Sequence, residues 1–206
     1  MKYREMMLMF AMLAGGGAMV AGAQLAHAET EHHHHHAMAD SSGYQRTSAS
    51  YEIPDVRLVD INGASVSLRD GLGGNEPVML NFIFTSCTAI CPVMSATFSQ
   101  VQEKLGDEVS KVRMVSISID PENDTPARLR EYASKYQAGP QWRMLTGSIE
   151  DSIAVQRAFD AFRGGKMNHE PVTFLRAAGA DQPWIRLDGL ASASDIIYEY
   201  RKLATH

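Results

Sequence analysis

The chain has 206 residues, of which 45% are hydrophobic, 21% charged and 8% aromatic, with a formal net charge of −5 at pH 7. This excludes a wholly disordered chain, allows one domain with appendages around a sizeable core, and leaves no basic footprint for nucleic acid. The cysteine count of 2 excludes a disulfide scaffold and any four-cysteine zinc module.

Residues 1–28 come first. Lys2 and Arg4 give a basic start, residues 6–23 carry no charge, and Ala26-His27-Ala28 fits the small-x-small cleavage pattern. The stretch is expected to be a signal peptide or, if uncleaved, a membrane anchor. Either places the chain in an exported compartment, the bacterial periplasm, soluble or tethered to the inner membrane. Met1, Met6, Met7, Met9, Met12 and Met19 belong to this leader, so methionine is not read as a copper-collecting motif. Residues 29–50 are polar and aperiodic and are expected to be a flexible tether. The five histidines at 32–36 are either an expression tag or a native metal-gathering tract.

The folded domain is expected over residues 51–206. Residues 56–59 and 65–68 flank Asp60-Ile61-Asn62-Gly63, a hairpin with Asn-Gly turn chemistry. Residues 78–84 form a nearly continuous apolar run, as a central strand buried on both faces requires. A helix follows over 92–105, with Pro92 at its first position and Gly106 beyond its end. Residues 112–119 read as a strand, 126–136 as a helix capped by Thr125, 142–145 as a short strand and 149–162 as a helix behind Ser148. Strands at 172–175 and 184–187 and a helix over 195–203, capped by Ser194, close the chain. Strands alternating with helices, then a closing hairpin and helix, predict an α/β fold of thioredoxin-like order. Its mixed central sheet is flanked by helices and extended by an N-terminal β-hairpin.

Cys87 and Cys91 lie in Phe84-Thr85-Ser86-Cys87-Thr88-Ala89-Ile90-Cys91-Pro92, between the carboxyl end of the central strand and a helix start. Open α/β sheets place ligands there, and helix-start N–H groups favour thiolates. A Cys-x3-Cys spacing sets the residues about one turn apart, roughly 5–6 Å between Cα atoms, within reach of a disulfide and able to clasp one metal ion. The blander alternatives are a plain disulfide or two inert buried thiols. Outside the leader and the histidine tract only His169 and the terminal His206 remain. In a thioredoxin-like fold the turn before the strand at 172–175 faces the cysteine loop, which makes His169 the candidate third ligand. Two thiolates with one imidazole suit copper, Cu(I) through sulfur and Cu(II) through nitrogen, better than structural zinc. An oxidising compartment adds a control, because a Cys87–Cys91 disulfide binds no metal until reduced.

These residues resemble the SCO/SenC family of thioredoxin-like, copper-binding assembly proteins over roughly residues 51–203. The resemblance is carried by Asn81-Phe82-Ile83-Phe84-Thr85-Ser86-Cys87-Thr88-Ala89-Ile90-Cys91-Pro92 and by Ser118-Ile119-Asp120-Pro121-Glu122-Asn123-Asp124-Thr125-Pro126. It implies that Cys87, Cys91 and His169 are copper ligands, with Asp120 an acidic neighbour of the site or a strand-ending turn residue. It also implies a metallochaperone that delivers copper to, or matures, the binuclear copper site of cytochrome c oxidase. Its expected partners are subunit II or another copper-site apoprotein, other periplasmic copper carriers, and thiol reductants. The chain departs from the family in Thr88, where proline is common, in Asn168, where aspartate is common, and in Glu170-Pro171, where uncharged residues are usual. The competing function is a thiol–disulfide oxidoreductase in which Cys87 and Cys91 reduce partner cysteines. A thiol peroxidase is disfavoured, because the proline and threonine expected ahead of its cysteine are missing.

Overall fold

The computed structural model describes residues 43–204; the leader and the histidine tract lie outside the described residues. The chain enters the sheet as Tyr44–Ala49 (β1), ahead of the expected start at Tyr51. The end of the proposed tether is therefore a strand. Its polar sequence has no apolar face to announce it, and the pairing is made by the backbone, antiparallel to the last strand, with Arg46 Nε 2.7 Å from Glu199 Oε2.

Arg57–Asp60 (β2) and Ser65–Ser67 (β3) form the expected hairpin. Asp60 Oδ1 accepts from the N–H groups of Asn62 and Ala64 at 2.8 and 2.9 Å, and Gly63 takes the left-handed φ of +82° that a side chain resists. Leu68, expected in the second arm, instead begins a short helix, Leu68–Leu72 (α1), because Ser67 caps it by accepting from the N–H of Asp70.

Val78–Ile83 (β4) is buried at every position, as its apolar run requires. Ile90–Leu105 (α2) begins two residues before Pro92. Arg113–Ser118 (β5), Pro126–Lys135 (α3, capped by Thr125) and Trp142–Thr146 (β6) match their expected positions closely. Ile149–Ala158 (α4) is capped by Ser148 but stops short of Phe162. Asp160 turns left-handed (φ +49°), and the N–H groups of Asp160 and Ala161 bond back to the carbonyls of Arg157 and Gln156, a Schellman ending without glycine. Val172–Arg176 (β7), Trp184–Gly189 (β8) and Ala193–Ala204 (α5) complete the chain. The residue that caps α5 is Ser192, not Ser194: Ser192 Oγ accepts from the N–H of Asp195, whose carboxylate accepts from the N–H of Ser192 in return. Ser194 Oγ accepts from Lys104 Nζ instead.

The sheet order is β1-β8-β7-β4-β5-β6-β2-β3, with β4, β5 and β6 parallel and the other pairs antiparallel. One face packs Met79 and Met114 against Phe98 and Val101 of α2, Leu129 of α3 and Ile196 of α5. The other packs Leu80, Phe82 and Phe174 against Leu68 of α1, Val155 of α4 and Phe159 just beyond that helix. This is the expected thioredoxin-like sandwich, and it puts the loop after β4 at the middle of the sheet's edge. Among the described residues no helix is long and apolar enough to cross a membrane.

Candidate metal and thiol centre

β4 ends at Ile83 and α2 starts at Ile90, so the cysteine loop is short and pinned at both ends. The N–H of Cys87 donates to the Phe84 carbonyl at 3.2 Å, and Cys87 Sγ accepts from the N–H of Cys91 at 3.5 Å. The two thiols are unbonded to each other, and they differ sharply in environment: Cys87 is half-buried, Cys91 fully buried. Burial by itself raises a thiol's pKa. At Cys87 the backbone N–H groups of Cys91, Ala89 and Ile90 outweigh burial and hold the thiol below its ordinary range. At Cys91 burial dominates, aided by the neighbouring Cys87 and the Asp124 carboxylate, and pushes the thiol up to about 12. Cys87 is therefore the more acidic of the pair, and Cys91 the one that keeps its proton.

Iodoacetamide is thus expected to modify Cys87 first in the native reduced protein, by at least about tenfold over Cys91. The rate should rise with pH through a midpoint below the ordinary thiol range, because a lowered pKa supplies thiolate at lower pH. Peptide mapping after brief alkylation checks this; equal labelling of the two cysteines would contradict it.

The second motif folds against this loop. Asp124 is fully buried and accepts from the N–H of Thr85, from Thr85 Oγ1 at 2.6 Å and from Ser118 Oγ at 2.6 Å. Its carboxylate ties the end of β5 to the residue two before Cys87. Asp120 lies nearer the surface but is only 5% exposed. It accepts from Asn123 Nδ2 at 3.0 Å and pairs with Lys166 Nζ at 2.5 Å. On the helix side, Tyr132 of α3 bonds Ser95 Oγ at 2.9 Å and donates to the Cys91 carbonyl at 3.3 Å, fixing the first turn of α2.

His169 follows a single 3-10 turn, Lys166–Asn168. Its Nε2 stands 3.1 Å from the Phe82 carbonyl, which can only accept, so Nε2 carries the proton and Nδ1 the lone pair. Burial lowers its pKa, only partly offset by that hydrogen bond, so the ring is neutral at pH 7. Metal-binding histidines characteristically donate their other N–H to a carboxylate or a backbone carbonyl. Phe82 supplies the second kind. Lys166 also lies over the Phe84 ring, 5.8 Å from its centroid, so the histidine turn is anchored beside the origin of the cysteine loop.

Cys87, Cys91, His169 and Asp120 thus gather around residues 82–84 and the end of β5. Among the described residues, however, no three His, Cys, Asp or Glu side chains stand close enough to share one metal ion. A common ligand requires the imidazole and the sulfurs to draw together. Sequence reasoning missed Asp124, Tyr132 and Lys166. Asp124 was signalled by its place in Asp120-Pro121-Glu122-Asn123-Asp124; nothing in the sequence singles out Tyr132 or Lys166.

Replacing Lys166 with methionine leaves the Asp120 carboxylate with Asn123 as its remaining side-chain partner. A loss of roughly 1–2 kcal/mol is expected, together with faster amide exchange over residues 166–169. Unchanged exchange there would show that the ion pair does not anchor the turn.

A family model described as SCO1/SenC matches residues 44–180. The SCO1 protein homolog of Bacillus subtilis is 38% identical over 105 residues, 50% of this chain and 53% of that protein. The chain thus spans about half the length of the curated relatives it matches. Among solved structures, BsSco, described as having a disulfide switch and as a member of the Sco family of cytochrome c oxidase assembly proteins, superposes with a TM-score of 0.65. It shares 28% identity, over 77% of this chain and 96% of that one. Arabidopsis thaliana ScoI, solved with copper bound, shares the fold at a TM-score of 0.60 and 23% identity, over 72% of this chain and 95% of that one.

Proposed function

The chain belongs to the SCO1/SenC family, and on that premise we propose that it is an exported copper carrier that takes copper as cargo on Cys87, Cys91 and His169. The observation that carries this is the donor set around residues 82–84: a thiol at Cys87 made more acidic by the loop's N–H groups, a second sulfur one helical turn on, and an imidazole whose Nε2 faces the Phe82 carbonyl and leaves the Nδ1 lone pair free. Soft sulfur holds Cu(I), and the imidazole adds a ligand suited to Cu(II). Asp120 and Lys166 position the histidine turn and are not ligands in this reading. A copper-bound relative and the oxidase-assembly role described for BsSco support it. The recipient is a cysteine-rich copper-site apoprotein, the binuclear site of cytochrome c oxidase subunit II in the first instance, met in the periplasm.

The unequal thiols favour a second duty of the same loop. Cys87 thiolate attacks a partner disulfide, forming a mixed disulfide and releasing one partner thiolate. Cys91, on losing its proton, then attacks Cys87 Sγ, so that a Cys87–Cys91 disulfide forms and the partner leaves as a dithiol, two electrons having passed to it. Mixing the Cu(I)-loaded reduced chain with the oxidised and, separately, the reduced apo-form of a binuclear copper-site domain tests both duties. Copper transfer to the reduced acceptor is expected, and the copper-free chain should reduce the oxidised one. Retention of copper by the chain in the presence of excess reduced acceptor would overturn the delivery role.

A further inference from the structure

The far end of β4 from the cysteine loop carries a separate arrangement of charge. Val78 begins the strand, flanked in register by Arg113 on β5 and Arg176 on β7. Directly paired residues share a face of the sheet, so both arginines stand on the face that α1 covers. They grip the carboxyl end of that helix between them. Arg113 Nη1 donates to the carbonyls of Asp70, Gly71 and Gly73 at 2.8, 3.0 and 2.9 Å, and Arg176 Nη2 donates to that of Leu72.

The two differ in what else they meet. Arg113 pairs with Glu76 at 2.9 Å. Arg176 has 0% exposure and stacks over Trp184, with Cζ 4.8 Å from the ring. Among the described residues it has no ion pair, and its Nε and Nη1 have no hydrogen-bond partner. Asp181 acts on it only at longer range, and burial followed by the like charge of Arg113 lowers its pKa. A buried guanidinium with two unmatched nitrogens is costly unless an acceptor reaches it. A cavity of about 310 Å³ lies against it, lined by Tyr51, Glu52, Ile53, Arg69 and Gly73 as well as Arg176. Arg69 is exposed and has no ion pair among the described residues. The lining thus carries two arginines against one carboxylate, Glu52.

We propose that this cavity is an oxyanion-binding site, in which a phosphate or carboxylate group is held between Arg69 and Arg176. Planar guanidinium forks suit both ligands, and the helix end that Arg176 grips fixes one of its nitrogens and leaves the others for the anion. The site stands apart from the cysteine loop and does not depend on copper.

The test titrates the copper-free reduced full-length chain with inorganic phosphate and, in a second series, with acetate, at constant ionic strength. It follows the Arg176 Nε–H and Trp184 indole resonances by NMR. Saturable shifts of both are expected, with phosphate the tighter if the ligand is tetrahedral and acetate if it is a carboxylate. Arg69→Gln, an exposed change that leaves the fold intact, removes one charge-assisted hydrogen bond and should weaken binding about tenfold. Arg176→Lys keeps the charge but loses the fork, and should weaken it similarly. Shifts that grow linearly without saturating into the tens of millimolar, or equal affinity in Arg69→Gln, would overturn the proposal.

Discussion

Asp124→Ala is expected to lower the unfolding free energy of the reduced protein by about 3–4 kcal/mol. The carboxylate is fully buried and serves the N–H and hydroxyl of Thr85 and the hydroxyl of Ser118. Alanine removes the acceptor and leaves those donors in place. Ser118 Oγ is buried and keeps only its contact with the N–H of Asp120, whereas Thr85 is half-exposed and regains water. A donor stranded in the interior costs roughly 1–3 kcal/mol, and the loss of charge-assisted bonds adds to it. Because Thr85 lies two residues before Cys87, the loop loosens as well as the fold. Urea denaturation gives the stability, and amide exchange at Thr85 and Cys87 reports the loop. Asp124→Asn keeps an acceptor oxygen and should lie between the two. A midpoint for Asp124→Ala unchanged from the natural protein would mean that this carboxylate is not the tie between the two motifs.

The second large effect concerns the proposed ligands. Cys87→Ala and Cys91→Ala are each expected to abolish one-to-one copper binding, since a single sulfur with one imidazole gives Cu(I) only two protein donors. His169→Ala should weaken binding by about a hundredfold, roughly 2.7 kcal/mol, and fall hardest on Cu(II), which relies on nitrogen. Competition against a chelator of known affinity, on a chain whose residues 32–36 are changed to serine, measures each without interference from the histidine tract. An affinity for Cu(II) unaltered by His169→Ala would remove the imidazole from the site.

Where the chain announces its structure, it does so through residues whose local physics has one good solution. The apolar run at 78–84 had to hold a central strand, Asn62-Gly63 had to turn, and Thr125 and Ser148 had to start helices, and each does. Part of what escaped was decided by partners distant in sequence. β1 is polar, and only its backbone pairing with β8 makes it a strand. Ser192 and Ser194 are equally good caps on paper; Lys104 reaches one of them and Asp195 the other. Helix α4 ends early without glycine or proline to mark the place.

The site shows the same division. The cysteines and His169 stood out by spacing and scarcity, and Asp120 by its motif. Their inequality was not legible, because the acidity of Cys87 depends on N–H groups that converge only once α2 forms, and that of Cys91 on burial under α3. Nor was the role of Phe82, whose contribution is a carbonyl that every residue possesses. Asn168 in place of aspartate looked like a missing partner for the histidine. The fold supplies a backbone acceptor instead.

The most direct measurement is X-ray absorption at the copper edge on the reduced, Cu(I)-loaded chain with residues 32–36 changed to serine, alongside its His169→Ala variant. Cys87, Cys91 and His169 acting together predict two sulfur ligands and one nitrogen, with the nitrogen scattering lost in the variant and both sulfurs kept. A natural site with fewer than two sulfurs, or a nitrogen that survives His169→Ala, would contradict the assignment.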